Sequence, residues 1–146
     1  MGSRQKKFPD SDFFHYHNQN PHNRITSDCV IRAISTATGK AYEDIVILLA
    51  GIQIKTGFNS NDPDGYGKLL KSLGWIRCKQ PRKDSGRKYT GKEFCQAIST
   101  GRLDIESNKR IIAHIGTHHL VAIMDWQVWD TWDSSDGCIG TYWIKP

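Results

Sequence analysis

"HHLVAIMDWQVWDTWDSS", His118 to Ser135, is the stretch on which the fold turns. Leu120 to Met124 is a continuous apolar run, Asp125 interrupts it, and a second apolar and aromatic run follows from Gln127. Two such runs joined by a two-residue connection predict a β-hairpin. With Asp125 and Trp126 as the turn, Met124 faces Gln127, Val121 faces Asp130 and His119 faces Trp132. The two-residue period of a strand then sets His119 and Asp130 on one face as diagonal neighbours. A competing register opposes His118 to Asp133 on the other face, and periodicity by itself does not choose between them.

Working outward, "KRIIAHIG" (109–116) and "TYWIKP" (141–146) are two more strand candidates, and "WIRCKQ" (75–80) is another. The chain before them reads as helices. "DCVIRAISTATGK" (28–40) has apolar residues at 30, 31, 33, 34 and 37, with Asp28 or Ser27 as N-cap and Gly39 as the stop. "AYEDIVILLAG" (41–51) predicts a second helix that places Ile45, Val46, Leu48 and Leu49 on one side and ends at Gly51. "FNSNDPDG" (58–65) reads as a loop, "GYGKLLKSLG" (65–74) as a short helix, and "PRKDSGRKYTG" (81–91) as an exposed loop or hairpin. Thr90 caps a further helix, "GKEFCQAIST", with Glu93 at capping-box spacing. Helices followed by sequential strands predict an α+β fold, N-terminal helices packed on a C-terminal antiparallel β-sheet. Residues 1–22, polar and marked by Pro9 and Pro21, read as an extended arm ahead of a domain spanning 23–146.

A chain of 146 residues, 38% hydrophobic, is one domain able to bury roughly 68–70% of its unfolded surface without disulfides. The formal charge of +5 admits an acidic or nucleic-acid partner, but so small an excess is common in proteins that bind neither. The four cysteines, Cys29, Cys78, Cys95 and Cys138, are scattered, with no C-x-x-C pair. No secretory h-region and no membrane-length apolar run are present, so a cytoplasmic chain with reduced thiols and no membrane partner is expected.

Cys29 stands where a helix begins, directly after Asp28. Only the thiolate is a useful nucleophile, and the unpaired N–H groups of a first helical turn favour that negative form. A histidine brought from elsewhere would complete its activation. The histidines opening the late hairpin, His118 and His119, are the ones placed to do so, and an aspartate on the next strand would hold the imidazole in its working tautomer.

A cysteine at the mouth of an N-terminal helix, a histidine opening a late strand and an Asn or Asp on the following strand resemble the papain-like cysteine peptidase superfamily. The chain looks most like small bacterial and phage proteins of the bacteriocin-peptidase-like kind, through "DCVIRAIS" and "HLVAI…DTWDSS". The resemblance implies a cysteine-dependent hydrolase, a peptidase or isopeptidase, with Cys29, His119 and Asp130 as a catalytic triad. "DTW", Asp130 to Trp132, matches the family's Asn-Ser-Trp stretch and selects the pair His119 and Asp130. Asn23, six residues before the cysteine where the family carries Gln, is implied as the second oxyanion donor beside the Cys29 N–H. Val30 departs from the aromatic residue often found after the cysteine. A protein or peptide substrate is implied, and no metal or cofactor is needed. The same apparatus also serves deamidation or acyl transfer.

Other readings of the sequence are simpler. Cys78, Cys95 and Cys138 have no chemical company and read as packing residues. His15, His17 and His22 lack the accompanying ligands of a metal site. The basic region 68–92, with Lys83, Arg87 and Lys88 at its centre, is explained more simply as a solvated surface than as a nucleic-acid interface. An inactive binding module using that region is the alternative to an enzyme.

Overall fold

The structure is a computed structural model that describes residues 2–106 and 109–146. Among them the chain forms five helices and six strands. In order these are α1 (Ser3–Lys7), β1 (Phe14–Tyr16), α2 (Cys29–Thr38), α3 (Tyr42–Thr56), α4 (Pro63–Ser72), β2 (Ile76–Cys78), α5 (Gly91–Ser99), β3 (Ile111–Ile115), β4 (His119–Met124), β5 (Gln127–Asp130) and β6 (Ile139–Ile144). The strands make one sheet in the order β1-β5-β4-β3-β6-β2.

The sheet explains why its central strands read as unbroken apolar runs. Ile112, Leu120, Ala122 and Trp143 project to one side, into a core shared with Val30, Ile34, Ile45, Leu49 and Leu70 of α2, α3 and α4. Their neighbours Ile111, Ala113, Ile115, Val121 and Ile123 project to the other, against Phe94, Cys95 and Ile98 of α5. A strand buried on both faces has no polar positions to alternate with. The sheet is therefore a middle layer, with α5 on one face and α2, α3 and α4 on the other.

The hairpin folds as its sequence predicts, with Met124 paired to Gln127, Ile123 to Val128 and Ala122 to Trp129. Asp125 and Trp126 carry φ values of 52° and 61°. Positive φ at both central residues is the turn whose twist matches paired strands. The Trp129 indole N–H donates to the Met124 carbonyl at 3.1 Å and ties the turn from the far strand.

Five expectations need correction. The sheet is mixed, because Phe14–Tyr16 runs parallel to Val128–Asp130, whereas every other strand pairing among the described residues is antiparallel. The arm is accordingly not extended throughout: it holds α1 and supplies an edge strand whose Phe14 is fully buried. "DFFHYH" has the aromatic content of a strand, but three residues between polar flanks give too short a pattern to stand out. Helix α3 runs through Gly51 and stops at Gly57, which takes the left-handed conformation at φ 78°. Its burial is also narrower than predicted, with Ile45 and Leu49 inside and Val46 and Leu48 exposed. Helix α4 starts within the expected loop, at Pro63, where Asp62 caps it by accepting from the Asp64 N–H at 2.9 Å. Proline is well suited to a first helical position because its missing N–H has no partner there.

Other local readings agree with the structure. Gly39 ends α2 at φ 74°. Thr90 and Glu93 form the reciprocal capping box of α5, at 3.2 and 3.0 Å. The basic excursion is a small hairpin closed by an Arg82–Lys88 bridge. No helix among the described residues is long and apolar enough to cross a membrane.

Candidate active site

The core packing of α2 against β4 brings the start of one element to the start of the other. Cys29 is the first residue of α2 and His119 the first of β4. The His119 ring and the Leu120 backbone N–H lie close enough to the Cys29 sulfur to favour its thiolate. Asp130 closes β5, one position beyond the Trp129–Ala122 pair, which leaves His119 diagonal to it. Its Oδ2 lies 2.6 Å from His119 Nε2. With Nε2 engaged by Asp130, Nδ1 is the ring nitrogen left to serve the sulfur.

Asp130 is 1% exposed, and every direction around its carboxylate is filled. Oδ2 accepts from His119 and from the Ser134 hydroxyl at 2.7 Å. Oδ1 accepts from the Thr131 N–H at 2.7 Å and from Arg32 Nη1 at 3.0 Å. Burial pushes this carboxyl up, but the His119 bond and charge, Ser134 and Arg32 together hold it below the usual carboxylate range. It is a fixed anion.

Arg32 is the organising residue that sequence reasoning missed. It is 8% exposed, and its Nε donates to Asp28 Oδ1 at 2.8 Å while Nη1 reaches Asp130. Asp28 occupies the N-cap position of α2 but makes no side-chain cap bond. Its second oxygen accepts from Asn20 Nδ2 at 3.0 Å and from the Tyr42 hydroxyl at 2.7 Å. Thus the aspartate before the cysteine anchors an arginine that anchors the second aspartate. Every buried side-chain nitrogen and oxygen among the described residues has a partner. The signal was the Asp28–Arg32 spacing of four, one helical turn, inside an otherwise apolar run.

The electrostatics follow from this frame. Burial pushes the Cys29 thiol up, but the neighbouring His119 ring and Leu120 N–H and the charges of His119 and Arg32 outweigh it, so the thiol lies below its usual range. Burial pushes His119 down, and the bond to Asp130 together with the neighbouring Cys29 sulfur reverses this, raising it to about 9. A sulfur whose proton is loosened beside an imidazole that holds one favours the thiolate–imidazolium form over the neutral pair. By contrast, burial alone drives Cys95 up to about 12, which makes it inert.

A cleft of about 500 Å³ opens onto the cysteine and histidine, lined by Arg4, Ile25, Thr26, Ser27, Cys29, Arg32, Asn61, His118, His119, Thr131 and Trp132. The Trp132 ring lies 5.1 Å from that of His119. The structure brings Cys29, His119 and Asp130 together but does not bring Asn23 with them. Asn23 sits on an exposed turn at φ 53°, its side-chain oxygen facing Asn18 Nδ2 at 3.4 Å, and it does not line the cleft. The six-residue offset from the cysteine fails because the chain turns back on itself at Asn20–Asn23. Asn61, from the loop before α4, is the side-chain amide that does line the cleft. The other register is not formed: His118 is exposed outside the strand, and Asp133 accepts from Ser135.

The remaining candidates have local partners. His15 bonds Asp10 at 2.8 Å and His17 bonds Gln19 at 2.6 Å, with both rings packed on Trp129. In the basic region Lys83 pairs with Glu93, and Lys92 pairs with Asp136 at 3.0 Å. No family model, curated protein or solved structure matches the chain.

Proposed function

We propose that the chain is a papain-like cysteine hydrolase, a peptidase or isopeptidase that works through Cys29, His119 and Asp130 and a covalent acyl-enzyme. The observation that carries this reading is the placement of Cys29 beside His119 in one cleft, with His119 Nε2 2.6 Å from a buried, fully coordinated Asp130. A cysteine kept only for packing has no use for an imidazole held by a fixed anion.

The Cys29 thiolate adds to the acyl carbon, forming the S–C bond as the carbonyl electrons move onto oxygen. The Cys29 N–H, which a first helical position leaves without an intrahelical acceptor, faces that charge, and Asn61 is the second donor. The His119 imidazolium gives its proton to the departing amine as the C–N bond breaks. Neutral His119 then takes a proton from water, which attacks the thioester and releases the acid. Deamidation differs only in expelling ammonia, and acyl transfer only in replacing water by another acceptor. The reading carries with it the cytoplasmic, reducing setting in which an exposed thiolate survives.

Iodoacetamide labelling of the intact chain, resolved cysteine by cysteine by mass spectrometry, tests the nucleophile. Cys29 is expected to react ahead of Cys78, Cys95 and Cys138 at pH values below the ordinary thiol range, with its rate changing again near pH 9 as His119 loses its proton. An electrophilic acyl probe should leave one adduct, absent in Cys29→Ala. Equal labelling of Cys29 and the exposed Cys138 across this range sinks the proposal.

A further inference from the structure

Arg4 is the one arginine of the cleft that the triad does not use. It belongs to the short N-terminal helix α1, yet its side chain lines the cleft together with Cys29 and His119. Two contacts fix it there. Its Nε donates to the Thr131 carbonyl at 2.7 Å, and its guanidinium carbon lies 5.4 Å from the Phe8 ring centroid. Thr131 follows Asp130 directly, so the guanidinium is anchored one residue from the carboxylate that orients His119.

The charge around Arg4 differs from that around Arg32. Arg32 is answered by Asp28 and Asp130. No ion pair among the described residues engages Arg4, and no acidic side chain lines the cleft. A guanidinium has five N–H donors, and a single bond through Nε leaves the two terminal nitrogens, the edge that matches a carboxylate with two parallel bonds. Ile25 and Trp132, 50% and 39% exposed, give the same cleft apolar surface.

We propose that Arg4 is a specificity-determining residue that selects acyl substrates carrying a carboxylate close to the bond that is attacked. This rests on the hydrolase reading above and adds the chemistry of the substrate to it. The carboxylate is a chain terminus or an acidic side chain, and both satisfy the same fork. The contact is made before and during attack, so it acts on which substrate is taken and leaves the Cys29–His119 chemistry as it is.

Three thiol-directed probes separate these cases: N-iodoacetyl-glycine, with a terminal carboxylate; N-iodoacetyl-aspartate α-amide, with a side-chain carboxylate; and the neutral N-iodoacetyl-glycinamide. Each alkylates by forming an S–C bond at Cys29 and expelling iodide, and the adduct is counted by mass spectrometry on the full chain. One acid is expected to outrun the neutral amide by roughly tenfold, the scale of one charge-assisted hydrogen bond, and which acid wins identifies the source of the carboxylate. Arg4→Gln should bring that ratio close to the value for free cysteine, and Arg4→Lys, a point charge without the fork, should restore only part of it. The ratio is internal to each variant, so a change in folding or in overall thiol reactivity does not imitate the effect. An acid-to-amide ratio that is the same in the parent chain and in Arg4→Gln overturns the assignment of Arg4. A neutral probe that reacts at Cys29 no faster than at Cys138 overturns instead the nucleophile on which the assignment stands.

Discussion

Arg32 shows how much of a site can depend on a residue that makes no chemistry. Its side chain holds Asp28 and Asp130 at 2.8 and 3.0 Å, and both carboxylates are buried. Removing one member of a buried ionic network leaves the others desolvated and unanswered, typically a loss of about 3–5 kcal/mol. Arg32→Ala is therefore expected to lower stability by about that amount in urea unfolding, and to slow iodoacetamide labelling of Cys29 at neutral pH by loosening Asp130 and hence His119. Unchanged unfolding would mean that the network is incidental. The sequence displayed Cys29, His119 and Asp130 because each stands at a predictable place on an element, a helix start or a hairpin register. Arg32 was hidden because a helical wheel puts it away from Val30, Ala33, Ile34 and Ala37, on the side that would normally meet water. Here that side meets the end of β5. Asn23 failed for the opposite reason, since counting back six residues assumes a chain path that the turn at Asn20–Asn23 does not follow.

At the level of elements, the sheet was legible except at one edge: "WIRCKQ" gave the edge strand β2, and β1 was missed. Strands β3 to β6 announce themselves by apolar runs and one two-residue turn, whereas β1 is three residues long and gains its place only by pairing with β5. Parallel pairing between residues more than a hundred positions apart leaves no local trace in a sequence. Helix α3 illustrates a related limit, because Gly51 has the look of a stop signal but is followed by Ile52 to Thr56 in the same helix. A Cβ added at Gly51 would meet nothing within 4 Å. Gly51→Ala is thus expected to raise stability by about 0.8–1 kcal/mol, the difference in helix propensity, as an upward shift in the urea midpoint. A fall in the midpoint would indicate that the helix is not continuous there.

For the whole molecule, the buried charges set the response to pH. Asp28 and Asp130 both ionise more readily in the folded chain than the ordinary value of 3.8. A depressed carboxyl contributes stability that is present above its unfolded value and lost as pH falls through its folded one. His119, raised to about 9 from 6.5, acts in the other sense, contributing fully below 6.5 and losing its contribution as pH rises through 9. Cys29, lowered from 9.0, contributes above 9 and loses its part as pH falls, which offsets some of the His119 effect. Urea midpoints are expected to hold steady from about pH 5 to 7 and to drop steeply below pH 4, with a shallower acid limb in Asp130→Asn. An acid limb of equal slope in that variant would show that Asp130 is not among the groups that titrate.

The pairing of β1 with β5 bears on when the molecule becomes competent during its own synthesis. Tyr16 lies beside Asp130, and the His17 N–H donates to the Asp130 carbonyl at 2.8 Å, so residues made early hold the backbone of one made more than a hundred positions later. A nascent chain that has emerged as far as α5 has its thiol but neither the imidazole nor the anion beside it. The sulfur therefore stays an ordinary thiol until β4 and β5 have emerged, and whatever chemistry it performs begins only once these two distant stretches of the polypeptide have met.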